Sequence, residues 1–315
     1  LSVLNLMTDG TNHCEILMNA RRMESSFDYL ELPDVQTKGH RHIGGEMMKA
    51  GAGIEVKNVS FRYAGTAKMA LENVSFRLSP GRKYAIVGMN GSGKTTLVKL
   101  LCRMHDPNEG QILLNGVDIR EYDHTEYLRQ FSVVFQDFCL LALPLGENVA
   151  ASGDYEADRV QSCLERAGFD RRLSRMENGL QTSLYKNIDR DGVEVSGGEA
   201  QKIALARALY KDAPIVILDE PTAALDPISE HEIYSGFDRL VGNKTAVFIS
   251  HRLSSCRFCD EILVFHEGRL VQRGSHDALL AEDDRVYSRM WHAQARYYED
   301  SAASFDAGER SYISG

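Results

Sequence analysis

No stretch of this 315-residue chain approaches the ~20 consecutive apolar residues that cross a bilayer, although 43% of its residues are hydrophobic. An excess of positive charge is missing as well. With 36 Lys and Arg against 45 Asp and Glu, the formal net charge is −9, which argues against a nucleic-acid binder that works by neutralising phosphates. Cysteine is too thinly spread for a disulfide framework: Cys14, Cys102, Cys139, Cys163, Cys256 and Cys259 are scattered, which fits a reducing compartment. Cys256 and Cys259 form a C-x-x-C pair, but it lacks the second ligand pair of a zinc site and the flanks of a redox motif. Both are expected to be helix-packing thiols. Heptads are absent, so long coiled-coil arms are excluded. Neither an initiator methionine nor a secretory signal opens the chain at Leu1, which suggests a fragment or a processed chain.

What the chain does have is Gly88-Met89-Asn90-Gly91-Ser92-Gly93-Lys94-Thr95-Thr96. A glycine, four residues and Gly-Lys-Thr make the phosphate-binding P-loop pattern. The apolar run Tyr84–Val87 before it reads as a buried strand, and Leu97, Leu100 and Leu101 after it recur at helical spacing. Strand, loop and helix are the setting the motif needs. Glycines let successive backbone N–H groups curl towards one anion, and the helix N-terminus adds a favourable dipole. Lys94 has the reach for the β- and γ-phosphates, and the Thr95 hydroxyl is placed to hold Mg²⁺. The chain is therefore expected to bind a nucleoside triphosphate.

Upstream, Ile16, Leu17, Ala20, Met23, Phe27 and Leu30 mark one helical face, ended at Leu32-Pro33. Arg21, Arg22, Glu24 and Asp28 make this helix too polar for lipid. Asp34 to Gly53 is polar and glycine-rich and reads as a linker, in which His40-Arg41-His42 is expected to be solvated. Glu55–Tyr63 and Leu71–Leu78 alternate as half-buried strands. Tyr63 stands at a strand end, where core packing competes with stacking on a purine. Asn115-Gly116 between apolar runs signals a hairpin, and Val133–Phe135 reads as a buried strand ending in Gln136-Asp137. From about Phe138 to Val195 the texture turns helical and charged, which suggests an inserted helical subdomain.

Ser196-Gly197-Gly198-Glu199 opens a further helix. The Ser-x-x-Glu spacing makes a capping box, and the glycine pair leaves the helix end bare for close approach to an anion. Ile215–Leu218 is a buried strand with Asp219 and Glu220 at its carboxyl end, the edge where parallel sheets bind ligands. An acid there is the second Mg²⁺-holding group expected of a P-loop NTPase, and Glu220 is left to orient and deprotonate a water. Asp226-Pro227 starts another helix. His251 follows the buried strand Thr245–Ser250, at the same edge as Asp219, where a phosphate contact outweighs a purely structural role.

Taken together, Ile54 to Tyr298 resembles the nucleotide-binding domain of ATP-binding cassette (ABC) transporters, most closely the exporter type. The motifs stand in family order. Tyr63 is similar to the A-loop aromatic, Gly88–Thr95 to Walker A, Gln136 to the Q-loop, and Val195–Glu199 to the LSGGQ signature. Ile215–Asp219 is similar to Walker B, Glu220 to the catalytic glutamate, Ala224–Asp226 to the D-loop and His251 to the switch histidine. Val195 and Glu199 depart from the signature's Leu and Gln, and Asp189–Glu194 departs from the exporter pattern before it.

The resemblance implies an α/β fold: a P-loop NTPase core with a mostly parallel sheet, an antiparallel β subdomain and an inserted α-helical subdomain. It implies catalytic roles for Glu220, His251, Lys94 and Gln136. ATP contacts are implied for Tyr63, Gly88, Asn90, Gly91, Ser92, Gly93, Lys94, Thr95, Thr96, Ser196, Gly197 and Gly198, and Mg²⁺ contacts for Thr95, Gln136 and Asp219. Two domains are expected to close head to tail around two ATP molecules, as a homo- or heterodimer. Residues 1–33 are expected to be the cytoplasmic end of a transmembrane domain fused upstream, 34–53 a linker, 54–298 the ATPase domain with its helical subdomain at about 138–195, and 299–315 a disordered tail. The implied function is the ATP-hydrolysing motor of an exporter at the cytoplasmic face of the cell membrane, with no nucleic-acid partner. An importer ATPase subunit or a soluble ABC ATPase is the alternative. The cargo is not legible.

Overall fold

The computed structural model describes residues 39–44, 52–186, 189–220, 241–250 and 253–296. The expected N-terminal helix, the D-loop, the helix after Asp226-Pro227, His251 and the tail from residue 299 lie outside the described residues.

Two sheets form the frame. The smaller one uses β1 (Ile54–Phe61), β2 (Leu71–Leu78), β4 (Glu109–Leu114) and β5 (Val117–Asp118) in the order β2-β1-β4-β5, and all its pairings are antiparallel. The Asn-Gly hairpin forms as its chemistry requires. Asn115 and Gly116 take φ of 49° and 84°, the doubly left-handed turn that two-residue hairpins favour, and Leu114 faces Val117 across it.

The larger sheet contains β3 (Lys83–Val87), β6 (Phe131–Val134), β7 (Ile215–Asp219), β8 (Thr245–Ile249), β9 (Glu261–His266) and β10 (Arg269–Gly274). Its order is β10-β9-β3-β8-β7-β6. Every pairing is parallel except β9 with β10. The apolar runs in the parallel strands are continuous because both faces are covered, whereas the antiparallel edge strand β10 is largely exposed. Strand alternation then sorts the side chains between two cores. Tyr84, Ile86, Ile217, Val247, Ile249 and Phe265 join one cluster with helix α1 (Lys94–Leu101) and the antiparallel sheet. Ala85, Val87, Leu218, Phe248 and Val264 join the other.

That second core is covered by helices. After α2 (His124–Leu128) come α3 (Leu145–Ala150), α4 (Ala157–Arg166) and the single turn α5 (Asp170–Leu173), followed by the long α6 (Gly197–Lys211). Val149, Val160 and Leu164 pack against Ile203, Ala204 and Leu205 of α6 in one apolar cluster. Each such fully buried aliphatic side chain stabilises by about 1.5–3 kcal/mol. Helix α6 thus belongs to the sheet core and the helical layer at once. Helix α7 (His276–Leu280) and the helical residues 286–296 complete the described chain.

Two local expectations are refined. His40, Arg41 and His42 of the segment read as linker are exposed as expected, but the backbone is docked at residues 41–43. Arg41 bridges to Tyr122, its N–H donating to Glu121 O at 3.0 Å while Asp123 N–H donates to Arg41 O at 3.0 Å. Glu126 then takes the Ile43 N–H at 2.8 Å and the His42 ring at 2.7 Å. Backbone pairing of this kind is invisible in side-chain composition. Cys256 and Cys259 are buried in the apolar core as expected, but on a 3₁₀ turn (Leu253–Cys256) and the bend after it, not on an α-helix.

Candidate functional site

Strand order decides which residues meet. The P-loop leaves the carboxyl end of β3, while Asp219 and Glu220 stand at the carboxyl end of β7, with β8 between. Gln136 follows β6, the neighbour of β7 on the other side. All therefore arrive at one edge of the parallel sheet, around a cavity of about 560 Å³. Ala70, Asn90, Gly91, Gly93, Lys94, Thr95, Thr96, Gln136 and Glu220 line it.

The loop is shaped by what its glycines avoid. Gly93 has φ 99°, and a Cβ there would stand 2.6 Å from Ala70 O, so a larger residue would strain the loop and drive it off β2. Gly93 precedes α1 and gives it no side-chain cap. The first N–H groups of the helix are thus left for an anion, with the dipole behind them. The buried Ser92 hydroxyl also finds no hydrogen-bond partner among the described residues.

Lys94 is only 6% exposed. Its ammonium donates to Gly88 O at 2.9 Å and Met89 O at 3.1 Å, folding back over the loop. Burial pushes its pKa down, and the nearby carboxylates of Glu220 and Asp219 pull it up. The lysine is a desolvated cation held by neutral carbonyls, and a phosphate is a stronger partner than either.

Thr95 Oγ1 donates to Asp219 Oδ2 at 3.1 Å. Asp219 is 1% exposed, its Oδ1 has no hydrogen-bond partner among the described residues, and its pKa is pushed up to about 6, chiefly by burial. A buried carboxylate with an unsatisfied oxygen beside a threonine hydroxyl is a hard oxygen donor set short of positive charge, and that suits Mg²⁺. The described residues hold no group of three or more His, Cys, Asp or Glu able to bind a metal by themselves.

Glu220 adopts a left-handed backbone, φ 50°, a conformation that costs a non-glycine residue roughly 1–2 kcal/mol. Its N–H donates to Ile249 O at 2.9 Å, and its carbonyl accepts from Gln201 Nε2 at 3.1 Å. Strand β8 and helix α6 thus hold the turn that brings this residue to the cavity wall.

Tyr63 and the signature residues lie outside that wall. Tyr63 packs edge-on against Phe61 and His105, with centroids 5.0 and 5.4 Å apart, and its hydroxyl reaches Thr96 Oγ1 at 3.3 Å. Packing and proximity to the P-loop helix therefore coexist at this residue. Ser196 and Gly197 are exposed and Gly198 half-buried at the start of α6, and none of them lines the chain's own cavity. The capping box there is complete: Glu199 N–H donates to Ser196 Oγ at 3.2 Å, and Ser196 N–H to Glu199 Oε2 at 2.8 Å. Sequence reasoning overlooked Ala70, Gln201 and Arg172. Gln201 did carry a signal, a polar residue close to the apolar face of a helix.

Residues 71–223 match the ABC transporter family model. The chain is similar to the ATP-dependent lipid A-core flippase of Vibrio vulnificus (strain CMCP6), with 42% identity over 243 residues, 76% of this chain and 41% of the flippase. The flippase of the same name from Burkholderia orbicola (strain AU 1054) is 40% identical over 260 residues, 82% of this chain and 42% of that protein. Among solved structures, a bacterial Atm1-family ABC exporter with ATP bound matches 89% of this chain and 48% of its own at TM-score 0.77 and 32% identity. The chain spans about two fifths of the length of the flippases.

Proposed function

We propose, from the premise that this chain carries the nucleotide-binding domain of the ABC transporter family, that its cavity binds and hydrolyses ATP as the motor of a membrane exporter. The observation that carries this reading is the convergence of the P-loop, Gln136 and Glu220 on one cavity, with Asp219 hydrogen-bonded to the lining Thr95.

Lys94 exchanges its loop carbonyls for the β- and γ-phosphates, and the uncapped N-terminus of α1 receives the rest of the anion. Thr95, Asp219 and Gln136 are the residues that would hold Mg²⁺. When bound, that ion neutralises charge on the phosphate oxygens. Glu220 orients a water for in-line attack on the γ-phosphorus and accepts its proton, while the bond to the β,γ-bridging oxygen breaks and ADP leaves with that electron pair. His251, assigned by resemblance, contacts the γ-phosphate. Tyr63 stacks on the adenine. Most of the catalysis is positioning and charge neutralisation.

Ser196, Gly197 and Gly198 do not line the chain's own cavity, and their role is to complete the site of a second domain. Two such domains enclose two ATP molecules head to tail, as identical or homologous chains, and hydrolysis reopens them. Residues 54–298 form this domain, with a helical subdomain at about 138–195. The similarity to membrane exporters supports reading residues 1–33 as the end of a transmembrane part, with the motor at the cytoplasmic face. Among the described residues no helix is long and apolar enough to cross a membrane.

Glu220→Gln tests the reading. It should bind ATP normally and lose about 100-fold or more in hydrolysis rate, the scale of a lost general base. Near-normal hydrolysis in that variant removes Glu220 from the mechanism.

A further inference from the structure

Glu199 stands where the family signature carries a neutral glutamine, and so places a carboxylate in the first turn of the helix that, on the reading above, meets a partner's triphosphate. An acidic residue in a first helical turn stabilises its own helix, yet its charge opposes an incoming phosphate. The structure shows what answers that charge. Arg172, on α5, brings its Nε to 3.2 Å from Glu199 Oε1. The N–H is not aimed at the oxygen, so the pair is electrostatic rather than a directed hydrogen bond. The other carboxylate oxygen, Oε2, takes the Ser196 N–H at 2.8 Å. Arg172 Nη2 also donates to Glu194 O at 3.3 Å, so one guanidinium ties down the chain on both sides of Ser196-Gly197-Gly198. The two side chains are 33% and 28% exposed, dry enough for the pairing to exceed a freely solvated surface bridge.

We propose that Arg172 is a positioning residue for the nucleotide-facing end of α6. It cancels the charge of Glu199, so that Ser196 and the two glycines present a net attractive end to a phosphate held by a second domain. The proposal rests on the dimer reading above. It differs from a merely structural role in one respect: if charge is what Arg172 supplies, the arginine becomes dispensable once Glu199 is neutral.

The test measures the ATP- and Mg²⁺-dependent monomer–dimer constant by sedimentation, using the full chain in the Glu220→Gln background. Arg172→Gln should weaken dimerisation about 3- to 30-fold, the effect of one unmatched charge near a helix end at each of two sites. Arg172→Lys should stay near the reference, and Glu199→Gln should dimerise at least as tightly as it. The double variant Arg172→Gln with Glu199→Gln should recover to within about twofold of the reference, near the noise of such a small coupling. Melting curves for each variant separate loss of fold from loss of association. An Arg172→Gln protein that folds and dimerises like the reference, or a double variant as weak as Arg172→Gln alone, overturns the proposal while leaving the dimer intact. A reference that stays monomeric with ATP removes the dimer reading and this proposal together.

Discussion

Gln201, in the second turn of α6, donates its side-chain amide to the main-chain carbonyl of Glu220 at 3.1 Å. The helix that begins with the signature glycines therefore also grips the residue assigned to activate water. Glu220 needs that grip, because φ 50° is held only where its surroundings impose it.

Gln201→Leu keeps the volume and removes the donor. Its expected effect is a fall in kcat of about 10- to 100-fold, the scale of a displaced catalytic group, with KM for ATP within about twofold of the original. Steady-state kinetics check this. Equal losses in kcat and in ATP affinity would mean that Gln201 supports the whole site rather than Glu220.

Lys94→Ala should weaken ATP binding about 10-fold or more, since a charge-assisted contact to phosphate is worth roughly 1.5–3 kcal/mol. Calorimetric titration reads it directly. Unchanged affinity would refute the P-loop assignment.

Asp219 links the site to pH. Its folded-state pKa, raised by burial to about 6 from 3.8, means that the folded protein keeps a proton the unfolded chain gives up between those values. Stability therefore falls as pH rises through that window and levels off above it. In the absence of nucleotide and Mg²⁺, Asp219→Asn should gain stability over the parent as pH rises from 4 to 7, by roughly 1–3 kcal/mol. The same variant should lose the stabilisation that Mg²⁺ and ATP give the parent. Thermal melts across pH, with and without Mg²⁺ and ATP, decide it. A pH-independent difference would show that Asp219 is not the group that titrates.

The docked segment has its own window. The carboxylate of Glu126 holds the His42 pKa above 6.5, while the Ile43 N–H and then His42 hold Glu126 below 4.5. The histidine's contribution is complete below 6.5 and fades as pH climbs through its raised value. That of the carboxylate is complete above 4.5 and fades as pH drops. Protection of the Ile43 amide from hydrogen exchange, corrected for intrinsic rates, should peak between about pH 4.5 and 6.5. Flat protection across that range would leave the backbone bridge alone as the tether.

The sequence made the sheet edge legible because its signals are local. A P-loop announces itself by glycine spacing, and Asp219 and Glu220 by the apolar run before them. Asn115-Gly116 fixed a turn through backbone preference alone, and Ser196 with Glu199 predicted a capping box that both hydrogen bonds confirm. Contacts between distant segments were not legible. Nothing around Arg172 foretells Glu199, and nothing around Gln201 foretells the carbonyl of Glu220, because each pair meets only once the helices pack. The docking of Arg41 was hidden for another reason: its bonds are main-chain bonds, and a polar, glycine-rich run reads as solvent-facing whether or not a neighbour takes up its amides.

The central claim is that a triphosphate bound to one domain is completed by the glycine end of α6 from another. Sedimentation equilibrium of the Glu220→Gln chain, with Mg²⁺ and saturating ATP, tests it most directly. The predicted result is a species of twice the 35.2 kDa chain mass that dissociates when ATP is withdrawn or when Ser196 is replaced by arginine. A particle of single-chain mass under saturating ATP, or a dimer indifferent to both changes, would contradict it.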